Sequence, residues 1–149
     1  MRRRFEKRVY IPLPSEKDIV YILKNSLDKV GHNINNSGFN EIGKKLKGFS
    51  GSDVATFVKQ CCMMPLDKTV RATHFRQVNV DGEAGWVCCG KGDKGSVVLD
   101  VGMIGGSNIF PPEVEFEDLI YSLENTKRSV GDGELERYVE FTKEFGMEG

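Results

Sequence analysis

The 149-residue sequence contains no apolar run approaching the ~20 residues a membrane-spanning helix needs, and its arginine-rich start lacks the apolar stretch of a secretory signal. It has only two histidines and four cysteines, the latter as the adjacent pairs Cys61-Cys62 and Cys88-Cys89. Neither pair has the two-residue gap that lets two thiolates grip one tetrahedral zinc, so free thiols in a reducing compartment are expected and a metal site is not. G-x-x-x-x-G-K-[ST], H-E-x-x-H and G-x-S-x-G are all missing. No catalytic Ser, His and Asp order is present either, since His32 sits in an Asn-rich loop and His74 at a helix-to-strand junction. Gly90-x-Gly92-x-x-Gly95 does fit G-x-G-x-x-G, but a strand-like run follows where a nucleotide fingerprint requires a helix, so it reads as a loop. On its own residues the chain has no catalytic centre.

What is present suits one soluble domain. Hydrophobic residues make up 39% of the sequence, and a chain of ~150 residues buries ~70% of its unfolded surface. The formal charge of -1 conceals a gradient. Residues 1–8 hold five basic groups and one acid, whereas residues 131–149 hold six acids against Arg137 and Lys143. Glycine is uneven too, with eight of the seventeen between Gly82 and Gly106.

Arg8-Val9-Tyr10-Ile11 reads as a short edge strand ended by Pro12 and Pro14. Ser15 with Asp18 three residues on marks a helix start, and Ile19, Ile22, Leu23 and Leu27 give it one apolar face up to Gly31. A second helix is expected from around Ser37 to Asn40, carrying Phe39, Ile42 and Leu46 and stopping at Gly48. Ser50 or Ser52 can cap a third, with Val54, Phe57, Val58, Cys61 and Cys62 facing inward. Pro65 is expected to kink or restart it, because proline removes a backbone donor. From His74 the period shortens: Phe75 to Val78, Trp86 to Cys88 and Ser96 to Val101 predict an antiparallel sheet of two or three strands. Such a sheet is marginal alone and must lean on a helix or another chain. Helical spacing returns with Phe116, Leu119, Ile120 and Leu123, and again with Leu135, Tyr138, Val139, Phe141 and Phe145, a stripe that reads first as core.

Two segments and the order of elements carry a family resemblance. Arg2-Arg3-Arg4-Phe5-Glu6-Lys7-Arg8-Val9-Tyr10-Ile11-Pro12-Leu13-Pro14 resembles the junction between the large and small subdomains of AAA ATPases of the meiotic clade. Gly48-Phe49-Ser50-Gly51-Ser52-Asp53-Val54 resembles that clade's turn into the helix facing the nucleotide. Ala72-Thr73-His74-Phe75, Asn125-Thr126-Lys127 and the closing Phe141-Thr142-Lys143-Glu144-Phe145-Gly146-Met147-Glu148-Gly149 are similar to the vacuolar-protein-sorting members, which disassemble ESCRT-III polymers on endosomes.

The resemblance spans the whole chain but only the last third of such an enzyme, and Met1 is therefore not expected to be the enzyme's own start. It implies an α+β fold: a helical AAA small (lid) subdomain with an inserted antiparallel β domain and a C-terminal helix. The implied divisions are 1–14 as the end of the large subdomain, 15–74 as the helical lid, 75–112 as the β insertion, 113–130 as the return helix and 131–149 as the last helix. Arg3 and Arg4 match the arginine fingers that reach the ATP of a neighbouring subunit. Guanidinium suits that role because it is always charged and binds oxyanions bidentately, stabilising charge that develops in the transition state. Gly51 and Ser52 match positions where the backbone nears adenine, and glycine permits that approach because it lacks a Cβ. Asp53 reads as a first-turn acid at the positive helix end.

Val78, Trp86, Val97 and Leu99 are the implied face for an activating cofactor protein. Two departures bear on this region: Val101 and Met103 stand where the family has tryptophan and aspartate, and Arg128 stands where it has proline. The whole enzyme is expected to be a cytoplasmic homo-hexamer, using ATP/ADP and Mg2+, recruited to endosomal membranes through ESCRT-III and binding no nucleic acid. This chain, without Walker A, Walker B or pore loops, is expected neither to hydrolyse ATP nor to hold it tightly. Other readings of the same residues are a freestanding interaction adaptor, the lid of a katanin or spastin type microtubule-severing ATPase, or a small nucleic-acid binder using Arg2 to Arg8 with salt-dependent affinity.

Overall fold

The computed structural model describes residues 11–105, 108–129, 131 and 140. Among the described residues, four helices pack together: α1 (Glu16–Leu27), α2 (Asn36–Lys45), α3 (Gly51–Arg71) and α4 (Phe116–Asn125). Between α3 and α4 lie four strands: β1 (His74–Val80), β2 (Glu83–Cys88), β3 (Val97–Val98) and β4 (Asn108–Ile109), with a single 3-10 turn at Val101–Met103.

The helix starts follow from local chemistry. Ser15 and Ser50 each close a reciprocal capping box, with Asp18 and Asp53 respectively, which satisfies two otherwise orphan backbone donors. Helix α2 begins earlier than its apolar spacing suggests, because the Asn35 side chain accepts from Gly38 N–H and caps it there. Helix α3 continues through Pro65 as one 21-residue helix, so of the two expectations there the restart does not occur. Proline removes one hydrogen bond and crowds the carbonyl one turn back, a cost of about 3 kcal/mol that burial of Val54, Phe57, Val58 and Cys61 offsets.

Ile19, Leu23 and Leu27 of α1, Phe39 and Ile42 of α2, the α3 row and Leu119 of α4 make one core cluster. The segment before α4 closes the layer by pairing with the α1–α2 loop: Asn33 N–H donates to Val114 O at 3.0 Å and Val114 N–H to Gly31 O at 3.1 Å. The β region thus leaves the helical layer after α3 and rejoins it just before α4. Lys68 of α3 also spans to α4's start, its Nζ 2.9 Å from Asp118 Oδ2 and 3.1 Å from Glu115 Oε2.

The sheet has the order β3-β1-β2-β4. β1 is antiparallel to β2 and β3, but β4 runs parallel to β2, so the sheet is mixed and four-stranded, correcting the antiparallel two or three expected. Asn108 and Ile109 form too short a strand to leave a period in the sequence. The third expected strand is shorter than its apolar run, because Asp100 accepts from Gly102 N–H at 2.7 Å and turns the chain into the 3-10 helix. Gly85 lets β4 approach: a Cβ there would run into the Phe110 ring and the Asn108 carbonyl oxygen. The edge strand expected at Arg8 to Ile11, apart from an exposed Ile11, and the last-helix stripe from Leu135 to Phe145 lie outside the described residues.

Candidate functional site

Helix α3 begins at a turn crowded on one side and open on the other. Gly48 holds φ +84°, a left-handed backbone that favours glycine, and a Cβ there would strike the Arg128 guanidinium. The Arg128 Nε donates to Gly48 O at 3.1 Å, and its guanidinium lies 5.9 Å from the Phe49 ring centroid. On the other side, a Cβ on Gly51 would meet nothing within 4 Å, and Gly51 and Ser52 are both exposed. In the cap, Asp53 N–H donates to Ser50 Oγ and Val54 N–H donates to Ser50 O. These bonds leave the first two N–H groups of α3, on Gly51 and Ser52, directed outward from the helix start. The structure therefore brings these two expected adenine-side residues together on an open face, where a planar base could approach backbone.

Asp53 lies beneath that face, 8% exposed. Its Oδ2 accepts from Ser50 N–H at 3.0 Å, Ser129 N–H at 3.2 Å and Ser129 Oγ at 3.0 Å. Burial alone would raise its pKa, but the hydrogen bonds from Ser129 and Ser50 outweigh burial and hold the carboxyl below its usual 3.8. The sequence shows Asp53 as a first-turn acid; its partner 76 residues away leaves no local signal.

The expected partner residues are divided by the sheet's register. Trp86 lies opposite Gln77, and Val97 opposite Phe75, which puts Trp86 and Val97 on one face. Val78 lies opposite Gly85, on the other face. Leu99 follows β3, its N–H donating to Thr73 O at 3.2 Å. A shallow cleft of about 290 Å³ lies against the β1–β2 hairpin, lined by Gln77, Val78, Asn79, Ala84, Gly85 and Trp86, residues of both faces. Arg3 and Arg4 lie outside the described residues.

Burial pushes Cys61 up to about 12, and Cys62 is raised for the same reason, so neither is a ready thiolate. Among the described residues no three His, Cys, Asp or Glu side chains gather to hold a metal ion, and no helix is long and apolar enough to cross a membrane.

Solved structures with this architecture agree on a class. The FIGL-1 AAA domain in complex with ADP matches with TM-score 0.66 at 24% identity, over 99% of this chain and 40% of that one. A chain from the structure titled "Crystal Structure of Vps4 and Vta1" matches with TM-score 0.58 at 22% identity, over 77% of this chain and all of that one. The fold is that of the AAA ATPase small subdomain with a β insertion.

Sequence narrows the class. Residues 86–146 match the Vps4 C terminal oligomerisation domain. Vacuolar protein sorting-associated protein 4B of Pongo abelii is 34% identical over 100% of this chain, and spastin of Xenopus tropicalis 28% over 97%. Along its whole length the chain is similar to the C-terminal part of the Vps4-type AAA ATPases. It spans about a third of the length of that 4B relative, 35%.

Proposed function

We propose that this chain is the lid and oligomerisation part of an AAA ATPase that disassembles ESCRT-III in endosomal and vacuolar sorting. The observation that carries the reading is the match along the whole chain to a vacuolar sorting ATPase, combined with a β insertion between α3 and α4. The oligomerisation match over 86–146 favours this family over the spastin type. In the whole enzyme ATP or ADP with Mg2+ lies between subunits of a homo-hexamer, working in the cytoplasm and recruited to endosomal membranes by ESCRT-III itself.

Within that assembly, residues 1–14 end the large subdomain, 15–74 and 113–130 form the lid, 75–112 the β domain and 131–149 the final helix. Gly51 and Ser52 offer backbone to the adenine of the same subunit, consistent with the open space above Gly51. The nucleotide supplies the phosphoryl group; residues that hold Mg2+ belong to other parts of the enzyme. Arg3 and Arg4 act on the neighbour's γ-phosphate. The β domain receives an activating cofactor protein, with Val78 and Trp86, which both line the hairpin cleft, and Val97 and Leu99 as its candidate contacts.

The test uses a polypeptide that joins this chain to a large AAA subdomain. Arg3→Ala is expected to lower ATP hydrolysis by about a thousandfold while leaving ADP affinity within about threefold. Loss of nucleotide binding with hydrolysis would overturn the finger assignment.

A further inference from the structure

At the starts of the described helices α1, α3 and α4 an acid in the first turn accepts from the cap residue's backbone N–H, and at α3 and α4 that acid also reaches beyond its own turn. At α1, Asp18 bonds only to Ser15 and is exposed. At α4, Asp118 bonds to Glu115 N–H and to Lys68 of the adjacent helix. At α3, the box between Ser50 and Asp53 is complete locally, yet Asp53 Oδ2 takes two further donors from Ser129, beyond the end of α4. Arg128 reaches the opposite side of the same turn through Gly48 O, and Thr126 Oγ1 donates to Gln60 Oε1 of α3 at 3.1 Å. Residues 126, 128 and 129 therefore all grip α3 or the turn that begins it. They leave Gly51 and Ser52 uncovered.

We propose that Asp53 and Arg128 are positioning residues that fasten the segment after α4 to the turn 48–53, so that this turn and the oligomerisation region shift together when nucleotide binds. The inference rests on the lid function proposed above. Its physical basis is that the fastening has two sides. A buried carboxylate holding two Ser129 donors resists separation, because parting them strands a charge away from its partners. The guanidinium on Gly48 O, resting over Phe49, fixes the same segment across the turn, so the segment cannot pivot about the Asp53 contact alone. The matched oligomerisation region, residues 86–146, includes these positions. A turn displaced by an adenine thus pulls on the chain entering the rest of that region.

Hydrogen exchange on the 149-residue chain tests the fastening without nucleotide. Ser129→Ala removes the side-chain donor while the local box remains, and the Ser129-position amide should exchange about tenfold faster with Ser50 still protected. Equal loss at both amides, or no change at either, overturns the separate role of Ser129. The coupling is then read in the joined polypeptide, with fluorescent ADP for affinity and light scattering for ATP-driven assembly. Arg128→Ala should raise the protein concentration for half-maximal assembly about tenfold while ADP affinity stays within about threefold, and Arg128→Lys should restore most of it. Assembly unchanged in Arg128→Ala overturns the coupling. If the unmutated joined polypeptide binds no ADP, the lid function falls and the coupling with it, whereas the exchange result on the shorter chain reports on the fastening in either case.

Discussion

The helical layer and the sheet bury their side chains very differently. Every member of the main core cluster comes from the helices, the loops joining them or, in Val114, the segment that leads into α4. From residue 74 to 110, by contrast, the buried apolar side chains among the described residues are Phe75 and Ile104, while Val80, Val97, Val98 and Met103 are exposed. At ~1.5–3 kcal/mol for each fully buried large side chain, the helices carry their own stability. The sheet depends on its backbone ladder, on the buried Phe75 and on the contact of β2 with α3. A region that keeps so much apolar surface in water is built to meet something else, whereas the helical layer is built to stay itself.

Substitutions can break or sharpen this contrast. Phe57→Ala in the fully buried α3 row should cost about 3–5 kcal/mol in urea unfolding, a large share of the stability of a domain this size. Lys68→Ala leaves Asp118, 3% exposed, without its cation. Because the lysine is itself partly solvated, a loss of about 1–3 kcal/mol is expected in the same assay, largely recovered by Lys68→Arg.

Gly85→Ala asks whether the sheet is as tolerant as its exposure suggests. The added Cβ meets Phe110 and the Asn108 carbonyl, so a cost of about 1–2 kcal/mol and altered Trp86 fluorescence are expected, with the helical circular dichroism retained. A pH titration of unfolding tests Asp53. Its folded pKa lies below the usual 3.8, so its contribution is complete above that value and disappears as pH falls through the lower folded one. Asp53→Asn should therefore flatten the loss of stability on the acid side of 3.8. Val98→Thr, at 76% exposure, should change stability by no more than about 0.5 kcal/mol. A larger loss would mean that the sheet has a core of its own after all.

The same contrast governs what the sequence reveals. Helices α1 and α3 are legible because each combines an apolar period with a serine cap at its start, and α4 because of its apolar period alone. Asn35 is less visible because it caps from a run of asparagines, and Pro65 misleads because tertiary burial overrides a local penalty. In the sheet, β1 and β2 announce themselves through Asp81-Gly82 between apolar runs. β4 does not, since two residues have no period and the parallel pairing depends on Gly85 being small. At the candidate site, Gly51, Ser52 and Asp53 stand out in sequence as a helix start. Arg128 is visible only as a departure from the family, and its reach to Gly48 requires the return of α4 beside α3, a relation that no local pattern encodes.

Helix α3 carries 21 residues without a break, which at 1.5 Å per residue makes a rod about 31 Å long. The turn with Gly51 is at one end and the hairpin of β1 and β2 follows the other. As a lever, such a rod turns a tilt of about 5° at the Ser50 end into a sweep of nearly 3 Å at the Arg71 end. That amplitude is comparable to half the spacing between neighbouring strands, large enough to change which side chains of the sheet present themselves to a partner.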